Sequence, residues 1–462
     1  MTDHIHITAF TQCSPCPQAK GQWKHPRDRS SRGYRDVQYW LDIARTLDRG
    51  LVDALFFADI HGVYDVYGGS MDAGVRHAVQ FPGNDPTLLL PLLAQATTGL
   101  GFVVTHSTTY YPPFHTAKLF SSLDHFTGGR VGWNIVTSYL ESAYRNGLGD
   151  EPLPHDTRYD RADEFMEVVG KLWERSWDED AVVRDMVADV HTDPSKVHKI
   201  DHRGEHFSVE GPHMCEPSPQ RTPFLVQAGT SPRGIRFAAQ HAEAMFVTLG
   251  GGSNPRATKE AVMAETVAAG RDPESVKLMS ALCLVVGETE AEAKAKYEML
   301  REHGSPEGAF ALFGGWTGVD LAPYSMTDRI ADYESKGIQS ISGLLKKLAE
   351  PGGTFGDVAE KVRVGGMHRV LVGTPDQLAD RMEKMIEDTG IDGFNILPNI
   401  QPGGFEDLVD MVIPELQRRG RYRTAYEGET LRERFSGKGK ARLPDDHPSR
   451  RQAGAAAVRA SV

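Results

Sequence analysis

Short apolar runs alternate with longer amphipathic stretches along most of this chain. Ile5 to Phe10, Val52 to Ala58, Leu100 to Thr105, Val131 to Val136, Phe224 to Val226, Ala244 to Val247, Val276 to Val286 and Gly393 to Leu397 are apolar at most positions. That is the pattern of strands covered on both faces. Between them, Asp36 to Arg49 sets Trp40, Ile43, Ala44 and Leu47 on one helical stripe. Thr87 to Thr97, Phe114 to Phe126, Arg158 to Trp173, Ile235 to His241, Thr258 to Ala269, Pro375 to Thr389 and Phe405 to Arg419 also suit helices. About eight strand–helix units in succession predict an α/β fold, a closed TIM-like (β/α)8 barrel rather than an open doubly wound sheet.

Three segments break the repeat. Asp178 to Pro223 is polar and holds a hairpin-like piece around Gly204 and His206-Phe-Ser-Val209. Thr289 to Met367 mixes helix with glycine-rich loop and contains Phe313-Gly-Gly-Trp316. Ser436 to Val462 is polar. We expect one barrel domain over 1–435, with insertions near 178–223 and 289–367 at the C-terminal face of the strands, and a tail over 436–462 lying on the surface. The second insertion is the candidate lid.

Charge narrows the partners. Lys plus Arg is 51 and Asp plus Glu 63, so the net charge is 51 − 63 = −12. An acidic surface argues against nucleic acid or an anionic membrane. No run of about 18 apolar residues predicts a membrane span. Met1 to His6 lacks the pattern of a signal peptide, and four cysteines are too few for a disulfide framework. A cytoplasmic location is expected. Cys13 and Cys16 have Cys-x-x-Cys spacing, but no second pair completes a zinc site. We read them as two loop thiols.

In a barrel, residues just past the strand ends face the site. That rule selects Asp59, His61 and Tyr64; Thr105, His106 and Thr108; Asn134, Thr137, Ser138 and Tyr139; and Gln227, Gly229, Thr230 and Ser231, with Tyr159 within reach. The set is rich in neutral hydrogen-bonding groups and aromatics. It lacks paired carboxylates, a Gly-x-Ser-x-Gly elbow and a His-x-x-x-His metal pair. No Gly-x-Gly-x-x-Gly follows the first strand. One stretch stands out: Leu225-Val-Gln-Ala-Gly-Thr-Ser-Pro-Arg233 passes from strand through a Gly-Thr-Ser turn into a helix opened by Pro232. Small residues let backbone approach a ligand, and the helix N-terminus attracts an anion, so this is a phosphate seat or an ordinary Ser-capped turn. A phosphate seat among polar groups with no reactive side chain implies that a cofactor performs the chemistry.

Ordered motifs then carry a resemblance. Phe56-Phe-Ala-Asp59, Gly62-Val-Tyr-Asp-Val-Tyr67, Asn84-Asp-Pro86, Ser121-Ser-Leu-Asp-His125, Gly129-Arg-Val-Gly-Trp-Asn-Ile-Val-Thr-Ser138, His155-Asp-Thr-Arg-Tyr-Asp160, Cys215-Glu-Pro-Ser-Pro-Gln-Arg-Thr-Pro223 and Gln227-Ala-Gly-Thr-Ser231 occur in that order. The chain resembles the bacterial-luciferase-like flavin monooxygenases, in the subgroup of nitrilotriacetate, dibenzothiophene-sulfone, dimethyl-sulfide and long-chain alkane enzymes. Gly437-Lys-Gly-Lys440 and Arg442-Leu-Pro-Asp-Asp446 are most similar to the alkane type. The resemblance implies a TIM-like barrel and reduced FMN supplied by a separate NAD(P)H-dependent flavin reductase. It also implies O2 as co-substrate, reacting through a flavin C4a (hydro)peroxide, and a homodimer or homotetramer. It places the phosphate at Gly229, Thr230 and Ser231 with Tyr159, and Asp59, Thr105, Asn134 and Ser138 around the rest of the flavin. It puts Tyr64 on the substrate side. Two positions depart from the alkane pattern: Tyr139 replaces a histidine, and His106 replaces an apolar aromatic. The imidazole thus moves to a neighbouring strand end, and His106, Tyr64 or Tyr139 is expected to hold or supply the proton. An alkane or an organosulfur compound is the expected substrate. The alternatives are a flavin-binding protein without oxygenase activity and an F420-dependent oxidoreductase.

Overall fold

Eight parallel strands close on themselves. They are β1 (His6–Gln12), β2 (Ala54–Ala58), β3 (Gly101–Ser107), β4 (Val131–Val136), β5 (Phe224–Gln227), β6 (Ala244–Val247), β7 (Lys277–Val286) and β8 (Gly393–Ile396). Each pairs with the next, and β8 returns to β1 with Gly393 beside His6 and Phe394 beside Ile7. This is the expected TIM-like barrel. The computed structural model describes residues 4–15, 18–149, 151–247, 254–330, 352–366 and 368–451.

Period-two alternation gives every strand two destinations. Ala54, Phe56, Val103, Phe224, Val226 and Met279 form one buried cluster inside the barrel. Leu55, Phe57, Phe102, Val104, Trp133 and Leu225 meet the helices outside. Those helices include α1 (Val37–Arg49), α2 (Pro113–Thr127), α3 (His155–Arg175) and α4 (Pro232–His241). Trp40 of α1, Phe120 of α2 and Phe165 of α3 are almost completely buried in that outer layer.

The sequence did not announce how the barrel floor is sealed. A short helix, α7 (Leu431–Ser436), starts from a capping box between Thr430 and Glu433. It sends Leu431 and Phe435 into the barrel interior. Phe435 stacks on His6 at 4.5 Å and on Phe224 at 4.7 Å, the first residues of β1 and β5. Between them Arg432 is fully buried. It grips Glu243 through Nε (2.6 Å) and Nη2 (3.0 Å) and donates to the carbonyls of Thr222 and Pro223. The segment expected as a surface tail also packs inward, burying Leu443 and His447 completely.

The first insertion contains two small hairpins, Val182–Asp185 with Val190–Thr192 and His202–Arg203 with Ser208–Val209. The second contributes helix Glu290–His303, α5 (Pro306–Thr317) and α6 (Phe355–Val362). Residues 331–351 and 367 of the candidate lid lie outside the described residues. A further strand, Arg369–Gly373, pairs with the far half of β7, in a stretch between the second insertion and Pro375 to which the sequence pattern assigned no element. Among the described residues, no helix is long and apolar enough to cross a membrane.

Candidate functional site

The strand ends open on a cavity of about 300 Å³. Asp59 follows β2, Thr105 and Ser107 end β3, and Thr137, Ser138 and Tyr139 follow β4. Gln227, Ala228 and Gly229 arrive from β5, and His155, Arg158 and Tyr159 from the first turns of α3. Residues from four strand ends and one helix therefore face one space, as the barrel architecture requires.

The end of the cavity nearest α4 is built by close packing. Ser231 caps α4, its Oγ accepting from Gly234 N at 3.1 Å, and Pro232 opens the helix. A Cβ on Gly229 would stand 2.4 Å from the Tyr159 hydroxyl oxygen and 2.5 Å from Gln227 Nε2. A Cβ on Gly234 would stand 2.7 Å from the Gly229 carbonyl oxygen. The turn, α4 and α3 can approach this closely only through glycine. His155 Nε2 lies 3.4 Å from Ser231 Oγ. Thr230 is exposed and does not line the cavity, and Ser231 stands at its edge. Arg233 turns onto Asp160 (3.0 Å) and Asp163 (2.5 Å), so its charge is already matched. Arg158 provides the cavity's guanidinium, and the sequence reading missed it together with His155. The signal was present: positions 155, 158 and 159 are spaced i, i+3, i+4 and share one helical face.

Deeper in, Asn134 Nδ2 donates to Thr105 Oγ1 at 2.8 Å, while Asn134 Oδ1 has no partner among the described residues. Gln227 Nε2 donates to the Tyr159 hydroxyl at 3.3 Å, while Gln227 Oε1 has none, and Arg158 Nε is likewise unpaired. Buried polar atoms left without partners are costly. Gln227 and Arg158 line the cavity and Asn134 stands one hydrogen bond behind it, through Thr105, so the three free atoms fit a ligand that carries several donors and acceptors. Ser138, whose Oγ lies 2.8 Å from Ser107 Oγ, takes a φ of 55°, a left-handed value unusual for a side-chain-bearing residue. Asp59 accepts from Ile60 N at 2.9 Å; burial, with Asp85 nearby, pushes its carboxyl up to about 7.

The three expected proton-handling residues separate. Tyr139 lines the cavity and keeps 43% of its surface open, while its hydroxyl meets Tyr64 Oη at 2.9 Å. Tyr64 is 1% exposed and stands behind Tyr139. Trp316 Nε1 of α5 donates to Tyr64 at 3.2 Å, and Tyr64 donates to Gln80 Oε1 at 2.8 Å. Tyr64 has one proton, and with Gln80 so oriented it is committed. Tyr139 is then the donor in the tyrosine pair, which leaves its own lone pairs free to accept. Gly315 explains the Gly-Gly-Trp motif, since a Cβ there would collide with the Tyr64 ring at 1.7 Å. Burial pushes Tyr64 up to about 12, and enclosure of the Tyr139 hydroxyl against it, while the rest of that side chain stays open, raises Tyr139 above the ordinary phenol value, so both are neutral.

His106 requires a correction. It lies on the outward face of β3, between the inward Thr105 and Ser107, and does not line the cavity. Its ring stacks on Tyr111 at 3.9 Å, and Nε2 lies 3.1 Å from Thr116 Oγ1 of α2. Burial pushes its pKa down to about 4, which leaves a neutral imidazole in the helix layer. Cys13 is buried and its thiol is pushed up to about 12, whereas Cys16 lies outside the described residues.

The family profile of the luciferase-like monooxygenases matches residues 16–393. The chain is 45% identical to a long-chain alkane monooxygenase of Geobacillus thermodenitrificans (strain NG80-2) over 450 residues, 97% of each protein. It is 41% identical to a dimethyl-sulfide monooxygenase of Hyphomicrobium sulfonivorans over 450 residues, 97% of this chain and 94% of that one. A solved structure of riboflavin lyase with modified FMN and the substrate riboflavin superposes with a TM-score of 0.86 at 36% identity, covering 96% of this chain and 98% of that one. With its closed barrel and its cavity at the strand ends, the chain belongs to the luciferase-like monooxygenase family.

Proposed function

We propose that this chain is the oxygenase component of a two-component flavin monooxygenase. It takes reduced FMN from a separate NAD(P)H-dependent reductase and uses O2 to oxygenate a small organic molecule of the alkane or organosulfur kind. The observation that carries this reading is the glycine-tight cradle of Gly229, Tyr159 and Gly234, set beside unpaired Asn134 Oδ1, Gln227 Oε1 and Arg158 Nε. In it, His155, Arg158 and the N-terminus of α4 would hold a phosphate, since backbone N–H groups, a ring N–H and a guanidinium all favour an anion there. Asp59, Thr105, Asn134 and Ser138 would hold the ribityl chain and ring.

Bound reduced flavin supplies the electrons that split O2, one oxygen atom entering the substrate and the other leaving as water. The protein's own part is positioning and exclusion of water. Ile60, Leu140 and Ala143 line the cavity with apolar surface. Tyr64, Tyr139 and Trp316 form a hydrogen-bonded wall that ties the second insertion to the cavity. Through that wall Tyr139 offers a lone pair, so it accepts a proton-bearing group and steadies it. The test uses 18O2 with reductase, NADH and FMN. Label in the organic product supports an oxygenase, and flavin turnover to peroxide alone with every alkane, sulfide and sulfone supplied would count against one.

A further inference from the structure

A second cavity, about 430 Å³, adjoins the first and shares Asp59, Ile60 and His61 with it. A molecule seated there faces whatever occupies the first across those three residues. Gln12 and Ser14 come from the end of β1, and Asn84 and Asp85 from the loop ahead of the Pro86–Leu88 turn.

The described residues lining this cavity include no lysine or arginine. His61 is pushed below the ordinary imidazole value by burial, which favours its neutral form. Two carboxylates are present. Asp85 Oδ1 caps the turn by accepting from Thr87 N (2.9 Å) and Thr87 Oγ1 (2.6 Å), and no cation pairs with Asp85 or Asp59 among the described residues. Gln12 and Ser14 are each 3% exposed, and neither Gln12 Oε1 nor Ser14 Oγ has a partner among the described residues. Gln12 Oε1 and the Asp85 carboxylate can only accept, Asp59 accepts at both oxygens once it is ionised, and Ser14 Oγ can accept or donate. A bare alkyl chain would leave the buried Gln12 Oε1 and Ser14 Oγ unpaired, which is costly, and would cover the exposed Asp85 carboxylate without pairing it. A carboxylate or sulfonate would add like charge.

We infer that this second cavity receives the polar head of the substrate, and that the head is a hydrogen-bond donor: an ammonium group first, a hydroxyl next, never an anion. The inference rests on the first cavity being the flavin site. The substrate is then an apolar body with one donor-bearing end, rather than a simple hydrocarbon.

A matched series on FMN-loaded enzyme tests this: 1-hexylamine, 1-hexanol, n-hexane and hexanoate, with binding read from the absorbance change of bound oxidised FMN. Hexylamine should bind about tenfold or more tightly than hexane and hexanoate, with hexanol between. Asp85→Asn keeps the turn-capping oxygen and should cancel the advantage of the amine over the alcohol. Gln12→Leu should weaken amine and alcohol alike. Hexane or hexanoate binding as tightly as hexylamine, no saturable hexylamine binding, or an unchanged order in Asp85→Asn would overturn the inference. FMN affinity is measured separately in each protein; its absence in the wild type would overturn the cofactor reading instead.

Discussion

Gly229 shows how much of this site depends on one hydrogen atom in place of a methyl group. Because a Cβ there would meet Tyr159 and Gln227 inside 2.6 Å, Gly229→Ala should raise the dissociation constant for FMN by about a hundredfold, on the order of 3 kcal/mol. Thr230→Ala, exposed and away from the cavity, should change it by less than about threefold. Isothermal titration of the two variants separates a packed cradle from a general helix-end effect. Asp59 makes a second prediction. Its folded-state value of about 7 exceeds the ordinary 3.8, so between these pH values the folded chain holds a proton that the unfolded chain has lost. The contribution of Asp59 to stability is therefore fullest below 3.8, falls as pH rises through that window and levels off above about 7. The slope approaches on the order of 1.4 kcal/mol per pH unit at most. Asp59→Asn should flatten it, as read from urea unfolding of the cofactor-free protein across pH. The residue scale is also where sequence reasoning erred. The strand-end rule named Thr105 and His106 together, yet neighbours on a strand point to opposite faces, and only Thr105 reaches the cavity.

At the scale of elements, the strands were legible because both of their faces are buried, which leaves near-continuous apolar runs. Arg369–Gly373 escaped notice because its Val-Leu-Val run is only three residues long and follows directly on the segment read as lid. Helix α7 escaped because four of its six residues are polar or charged, and its task is hidden in two apolar side chains and one arginine. The turn from β5 into α4 was legible from Gly-Thr-Ser-Pro alone, since each residue has a local geometric reason to be there. Ser231→Ala removes the bond to Gly234 N and should cost about 1 kcal/mol of stability. If His155 and Arg158 carry most of the phosphate's attraction, FMN affinity should fall only severalfold, because the backbone N–H groups and both of these side chains remain. Chemical denaturation and FMN titration of the same variant measure the two effects independently.

Across the whole molecule, the barrel is sealed at the floor and open at the mouth, and different chemistry governs each end. The floor depends on a buried ion pair. Arg432→Met would leave Glu243 charged and without its bidentate partner, which should destabilise the fold by about 3–5 kcal/mol. Thermal unfolding measures the loss, and the folded fraction should still bind FMN normally, because the floor lies at the opposite end of the strands. The mouth depends on cooperation among distant segments: β2, β3, β4, β5, α3 and the second insertion each bring a few groups. Sequence order conceals that convergence, which is why the fold could be foreseen as a whole while the wall of Tyr64, Tyr139, Gln80 and Trp316 could not. The most direct measurement is a crystal structure of the FMN-bound protein. The account predicts phosphate density between Gly229, His155 and Arg158, with the ring reaching past Asn134 toward Asp59. FMN bound elsewhere, or in this cavity with its phosphate at the Asp59 end, would contradict it.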